Sequence, residues 1–412
     1  MQAAGIQAQT VASPTGQADC TLLTEGFADT PATTRHWQAL TAARLAKNTR
    51  ILLLQSAAHL DPSQTSGMAG LGRTLNAEWP GTHLRSLTLH TSDPDGVANL
   101  VHRALPGSTG EHTISTPDGF VSLTLGAPLT PPPQQRQHNA GVWLITGGGR
   151  GVTAACAMAL SKRTGGTFLL AGRSPLIDWP NDIPKALNQS ELIGLIARNR
   201  PGNTPAQLRH IARALIHSHQ VRHTMSTIRA NDARAEYIML DVADAISVGR
   251  AMQALQFEHG PISGVIHGAG VLADRRADDK TRSDFETVFA PKVDGFLNLL
   301  AHIDKQTLTH IGVFSSASAI FGNPGQADYA AANDILNQIV ESLARNHSHL
   351  HARSFAWGPW EGGMVTPHLA TQFKTRGISL ISIQEGARIF VDQMLSANRH
   401  PVQLCIGDDW TQ

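Results

Sequence analysis

The chain has 412 residues, more than one hydrophobic core usually serves, so two domains are expected. Hydrophobic residues at 41% and charged residues at 16% describe an ordinary globular protein, and a formal net charge of +1 argues against the basic stripe of a nucleic-acid binder. No apolar stretch approaches the ~20 residues of a membrane span, residues 1–19 lack the basic start and apolar run of a signal peptide, and Cys20, Cys156 and Cys405 have neither metal-ligand nor disulfide spacing, so a reduced, cytoplasmic setting is expected.

Residues 1–18 are rich in Ala, Gln, Thr and Gly and read as disordered. A first folded region spans 19–135. In it Arg50–Leu54 reads as a short buried strand, Gly67–Glu78 as a helix and His83–Leu89 as a further strand. Residues 130–140, prolines followed by polar residues, read as a linker. From 136 to 412 the pattern becomes one of strands alternating with helices. The strands are Gly141–Thr146, Thr167–Ala171, Glu236–Leu240, Gly264–His267, His310–Phe314 and Ala352–Ala356; helices include Thr153–Lys162, Pro291–Ile303 and Asp328–Leu343. Between them, 178–235 is polar, proline-punctuated and helix-prone, and carries no motif that names a chemistry. Such alternation implies an α/β fold, a doubly wound parallel sheet with helices on both faces and ligands at the carboxyl ends of its strands. The twenty histidines, several of them neighbours (His210, His217, His219, His223), could form a metal cluster or lie scattered on the surface; no ligand pattern repeats, and no metal is expected.

Thr146-Gly147-Gly148-Gly149-Arg150-Gly151-Val152 follows the first strand of this second region and opens a helix. Glycines let the backbone approach a pyrophosphate, and the helix amino end adds a favourable dipole. Arg173 and Ser174 stand after the next strand, where an acidic side chain would bind the ribose of NAD. Arginine cannot accept those hydrogen bonds but can pair with a 2′-phosphate, which points to NADPH. Arg150 is either a second phosphate contact or simply solvent-exposed. Asp241 and Val242 end a later strand, where a carboxylate could meet the adenine, and Gly268, Ala269 and Gly270 leave room for the cofactor beside another.

The stretch with the most chemistry is Phe314-Ser315-Ser316-Ala317-Ser318, continuing to Gly325-Gln326-Ala327-Asp328-Tyr329-Ala330-Ala331-Ala332-Asn333. Ketone reduction requires a hydride donor, a proton donor to the developing alkoxide and a group that holds the carbonyl oxygen. A tyrosine serves as acid if nearby positive charge lowers its pKa of ~10, and a hydroxyl serves the carbonyl. Tyr329 and Asn333, four residues apart on an expected helix, share a face.

These residues resemble the ketoreductase domains of polyketide and fatty-acid synthases, a branch of the short-chain dehydrogenase family with a Rossmann-type sheet. The resemblance implies that Tyr329 is the proton donor, that Ser316 orients the carbonyl, that Lys292 in Pro291-Lys292-Val293-Asp294-Gly295 is the catalytic lysine and that Asn333 joins the proton relay. It extends to residues 19–128, including the helix Gly70–Glu78, which look like the truncated Rossmann-like structural subdomain that precedes such enzymes. The subgroup in polyunsaturated-fatty-acid synthases is closer still. It is similar in the Gly149–Ala154 turn, where Thr153 replaces a glycine, in the helical insert, and in Trp357–Thr366. That last segment is expected to carry nicotinamide and substrate contacts (Pro359, Trp360, Met364) and to lead into a mobile lid at about 361–380.

The function implied is NADPH-dependent reduction of a β-ketoacyl chain carried on the phosphopantetheine of an acyl carrier protein, in company with other synthase domains. The alternatives are a stand-alone reductase of free ketones and an inactive structural segment of a megasynthase. Family members that give the D alcohol carry Leu-Asp-Asp after the Ala-Gly segment; those that give the L alcohol carry a tryptophan eight residues before the tyrosine. Here Leu272 and Asp274 are retained, Pro324 matches the D group, and the tryptophan position holds Phe321, so a D product is expected.

Overall fold

The computed structural model describes residues 20–410, apart from 48, 57–65, 92, 105–111, 117–118, 123–124, 128–140, 185–188 and 201. The expected disordered stretch 1–18 and the linker 130–140 lie outside the described residues.

The first sheet contains β1 (Cys20–Gly26), β2 (Arg50–Ser56), β3 (Leu84–Leu89), β4 (His112–Thr116) and β5 (Gly119–Ser122), in that spatial order. The first four are parallel, joined through α1 (Ala32–Leu45), α2 (Met68–Glu78) and α3 (Pro94–Ala104); β5 returns antiparallel. Successive side chains of a strand face opposite ways. Leu52 and Leu54 therefore pack with Leu87, Leu89, Leu100 and Val101 on one face. Ile51 and Leu53 pack with Leu40, Leu71 and Leu75 on the other. Two buried faces explain the unbroken apolar run at 51–54. Because the spatial order equals the chain order, the connections never reverse direction, and this sheet offers no switch-point crevice for a ligand.

The second sheet has the order β12-β11-β10-β9-β6-β7-β8 and is parallel throughout. Its strands are β6 (Val142–Thr146), β7 (Thr167–Gly172), β8 (Arg234–Met239), β9 (Ile262–His267), β10 (His310–Ser316), β11 (His351–Trp357) and β12 (Gln403–Ile406). The helices of this part are α4 (Gly151–Thr164), α5 (Gln189–Asn199), α6 (Pro205–Ala230), α7 (Ala245–His259), α8 (Arg282–Phe289), α9 (Gly295–Ala301), α10 (Ser318–Phe321), α11 (Ala327–Asn346), α12 (Pro367–Thr375) and α13 (Ile383–Met394). The chain runs outward from β6 to β8, then crosses back to lay β9 against the other side of β6. Thr146 pairs with His267, so the segments that begin at Gly147 and Gly268 leave the sheet side by side. That reversal is the crevice of a doubly wound sheet.

One feature differs from the sequence expectations. The helix expected over Pro291–Ile303 is present but opens on a π-helical turn: α8 ends at Phe289, the turn spans Ala290–Asp294, and α9 starts at Gly295. Pro291 has no N–H for an ordinary helical bond, and the N–H of Gly295 bonds to the carbonyl of Ala290 instead. The insert 178–235 builds α5 and α6 around its own small core of Leu192, Ile196, Leu208, Ala212 and Leu215. A capping box of Thr204 and Gln207 starts α6.

The two sheets share one core. Helix α2 lies directly on α11; a Cβ at Gly70 would sit 2.5 Å from the carbonyl oxygen of Ala330. The Gly70 N–H donates to Asp334, whose carboxyl is raised above the usual range by burial.

Candidate active site

The glycine turn is built for a group outside the chain. Gly147 has φ +69°, and a Cβ there would lie 2.8 Å from the carbonyl oxygen of Gly268. Gly151 has φ +66° and open space around its missing Cβ. Arg150, the N-cap of α4, makes no side-chain capping bond, and the first turn holds no acidic residue. The N–H groups of that turn thus keep their capacity for an anion. Thr153, the departure from the family pattern, is buried with its side chain against Gly268, where a Cβ would clash at 2.5 Å. The methyl and hydroxyl fill space on the sheet side and leave the turn itself open. The insert buttresses the turn from outside: Thr224 of α6 donates to the carbonyl of Gly149 at 3.0 Å.

The catalytic candidates come from three elements. Ser316 ends β10, Lys292 sits in the π-helical turn, and Tyr329 and Asn333 lie on α11. The Ser316 Oγ accepts from the Ser318 hydroxyl at 2.9 Å and from the Ser318 N–H at 3.1 Å. Two incoming bonds leave its own proton to point elsewhere. Lys292 is 2% exposed, donates to the carbonyl of Phe314 at 2.9 Å and lies 5.1 Å from the centroid of the Tyr329 ring. Asn333 Nδ2 donates to the Tyr329 carbonyl at 2.8 Å, while its buried Oδ1 has no hydrogen-bond partner among the described residues.

Burial dominates the electrostatics. It pushes the Tyr329 phenol up to about 12, with Asn333 pulling it back and the Asp274 charge adding to the rise. It pulls the Lys292 ammonium down to about 7. The sequence chemistry has a lysine lowering the tyrosine; here the lysine is itself desolvated and Tyr329 remains a firmly protonated acid. Behind Tyr329 lies the fully buried pair Lys280–Asp328 at 2.8 Å, with the carboxyl raised to about 6 by burial against the lysine's opposite pull.

A cleft of about 850 Å³ joins these parts. Gly147, Arg150, Gly151, Val152, Gly268, Ala269, Gly270, Leu272, Asp274, Lys292, Ser316, Pro324, Tyr329, Pro359, Trp360 and Met364 all line it. The remaining candidates stand apart. Thr146 is buried beneath the turn, accepting from the Ala269 N–H and bonding the His267 ring at 2.9 Å. Arg173 and Ser174 are exposed at the end of β7, and the Ser174 carbonyl accepts from the Tyr237 hydroxyl. Asp241 caps its own turn at the N–H of Ala243, whereas Val242 is turned into the core against Gly295. Phe321 stacks on Trp410 at 5.8 Å.

Three contributors carry no signal in the sequence. His267 is fully buried and held near 3 by desolvation, so it is neutral; its Nε2 donates to the Lys292 carbonyl and fixes the turn that carries the lysine. Trp410, from beyond β12, lines the cleft with Phe373 and Arg376 of the α12 region. Glu78 of the first sheet's α2 reaches the loops at the cleft edge. Among the described residues, His210, His217, His219 and His223 form no metal-binding group. No helix among them is long and apolar enough to cross a membrane.

The donor set suits a dinucleotide: an open glycine turn at an uncapped helix amino end, a cleft beside it and an arginine at the end of the neighbouring strand. A family model described as the KR domain matches residues 141–362. The chain is 29% identical over 367 residues to a polyunsaturated fatty acid synthase of Thraustochytrium sp. (strain ATCC 26185 / S-3), covering 85% of this chain and 13% of that protein. It is 25% identical over 361 residues to polyketide synthase PksM of Bacillus subtilis (strain 168), covering 86% of this chain and 7% of that protein. The chain thus spans a small fraction of the length of these relatives. Among solved structures, a ketoreductase domain from the bacillaene assembly line superposes with a TM-score of 0.67 at 20% identity, over 98% of this chain and 94% of that one. At that identity the likeness establishes the fold.

Proposed function

Since the chain belongs to the KR (ketoreductase) domain family, we propose that it reduces the β-keto group of an acyl chain carried on the phosphopantetheine of an acyl carrier protein, using NADPH, and releases a D-configured β-hydroxyacyl chain. The observation that supports this reading above all is the convergence of Ser316, Lys292, Tyr329 and the turn residues Gly147, Arg150 and Gly151 on one cleft. In this reading residues 19–135 are a structural subdomain and 136–412 the catalytic part, one segment of a larger synthase working with its other domains in the cytoplasm.

In this reading Gly147–Gly151 and Val152 hold the pyrophosphate, Arg173, Ser174 and Arg150 the adenosine phosphate, and Asp241 the adenine. Gly268–Gly270, Pro359 and Trp360 shape the nicotinamide end. The bound cofactor supplies the hydride. The chain supplies the rest. Ser316 donates its free proton to the carbonyl oxygen and fixes its position. Tyr329 gives its phenolic proton to the oxygen as negative charge develops there. Lys292, when protonated, stabilises the tyrosinate left behind and gives it a proton, which solvent then returns to the lysine; Asn333 Oδ1, without a partner among the described residues, can accept a hydrogen bond from a water in that path. Phe314, Trp357 and Trp360 keep water from the reacting carbon. Comparing kcat/KM for a carrier-bound β-ketoacyl chain with that for the same chain as a free ester tests the substrate assignment. A large preference for the carrier-bound form supports it; equal values would favour a reductase of free ketones.

A further inference from the structure

We propose that Glu78, on the helix that ends the first α/β layer's approach to the active site, is a positioning residue for the acyl substrate. Its carboxylate sets the spacing of the two loops that guide the chain to Tyr329. The inference rests on the ketoreductase reading above.

Glu78 is the last residue of α2, and its side chain is 1% exposed. A buried carboxylate is costly, and the carboxyl end of a helix is the less favourable end for negative charge, so neither burial nor helix formation accounts for it. Its partners do. Oε1 accepts the Gly325 N–H at 2.6 Å, and Oε2 accepts the Ala277 N–H at 2.6 Å. Charge-assisted bonds of this length are the strong kind. Arg276 adds an ion pair at 3.5 Å from outside.

The two amides belong to different loops, and each loop carries residues that line the cleft. Leu272 and Asp274 precede Ala277; Pro324 and Gln326 flank Gly325. The loops also touch each other. Arg275 N–H donates to the Gly325 carbonyl at 2.9 Å, and Gln326 Nε2 lies 3.2 Å from both oxygens of Asp274. Those contacts fasten the edges that face substrate, and the Glu78 carboxylate fastens the backs. A second link from the same layer supports the first loop: Arg44 of α1 donates to the carbonyls of Ala277 and Lys280. Lys280 in turn donates to the Ala273 carbonyl and pairs with Asp328, which accepts the Tyr329 N–H at 2.8 Å. A layer with no ligand crevice of its own thus reaches the catalytic tyrosine through the loops that receive substrate.

Glu78→Gln keeps the shape but removes the charge and turns one acceptor into a donor facing an N–H. Glu78→Asp keeps the charge but cannot reach both amides. Both are assayed with the carrier-bound β-ketoacyl chain, following KM, kcat per folded molecule, product configuration, NADPH affinity and Tm. The expected result is a KM raised about tenfold and a loss of configurational purity in Glu78→Gln, with NADPH affinity within about twofold of the parent. Glu78→Asp, the variant of choice if Glu78→Gln does not fold, is expected to show the same pattern in milder form. A fall in Tm with KM and configuration unchanged in the folded variants would overturn the proposal and leave Glu78 a strut. Failure of the unsubstituted protein to reduce any β-ketoacyl chain would instead overturn the ketoreductase reading, a result read before any variant is made.

Discussion

The Lys292 ammonium lies 5.1 Å from the centroid of the Tyr329 ring and donates a hydrogen bond to the carbonyl of Phe314. Burial brings the lysine down to about 7, while the phenol stays near 12. Of the two, the lysine is therefore the group that titrates in the working range. Its charge is present below about pH 7 and lost above it, so reduction is expected to slow as pH rises through about 7. Lys292→Met is expected to be slower throughout and to lose that limb, which moves its pH optimum upward. A variant profile that retains the fall near 7 would assign the limb to another group.

Arg173 stands exposed at the end of β7, with no acidic residue beside it in sequence to bind a free ribose. NADPH is expected to be preferred over NADH by roughly ten- to hundredfold, since a charge-assisted phosphate contact contributes roughly 1.5–3 kcal/mol. Arg173→Ala is expected to narrow the gap by weakening NADPH and not by strengthening NADH. Kinetics with both cofactors check this, and comparable kcat/KM values for the parent protein would refute it.

His267 is buried and neutral, linking Thr146 to the Lys292 backbone. Its pKa falls from 6.5 when unfolded to about 3 when folded. Between those values the unfolded chain binds a proton that the native site does not, so the residue's contribution is full above about 6.5 and is lost as pH falls towards 3. Glutamine can replace its two hydrogen bonds without titrating. The Tm of the parent is expected to fall relative to that of His267→Gln as the medium is acidified across this window. A constant difference would mean that the imidazole titrates normally.

The product is expected to be the D alcohol. Asp274, retained from the family's D pattern, is held by Gln326 at the cleft. Phe321, at the position where L-type members carry tryptophan, stacks on Trp410, which also packs against Phe373. Chiral chromatography of the reduced chain distinguishes the two sides. A predominantly L product would show that the Phe321–Trp410 wall, and not the 272–274 loop, directs entry.

The parts legible in the sequence are those whose chemistry is local. The glycine turn after β6, Ser316 at a strand end and the four-residue spacing of Tyr329 and Asn333 each announce themselves within a few residues. Lys292 is reached through family resemblance alone; the π-helical turn that aims it hides in an apolar pattern that reads as one continuous helix. Val242 ends a strand beside Asp241 and so reads as a cofactor neighbour, yet an apolar side chain at that place packs inward on Gly295. Glu78 and Trp410 act on residues far away in the chain, and no period or spacing reports a contact of that kind. The strand β1 and helix α1 are hidden for a related reason: they become recognisable from their pairing with β2 and from the core they share.

The most direct measurement is the intact mass of an acyl carrier protein loaded with a β-ketoacyl chain, before and after incubation with this protein and NADPH. A gain equal to two hydrogen atoms is expected. With Tyr329→Phe, which keeps the ring and removes the acid, the gain is expected to form roughly a hundred- to ten-thousandfold more slowly while NADPH still binds. An unchanged carrier mass with the parent protein, or a Tyr329→Phe rate close to the parent's, would contradict the assignment of this cleft.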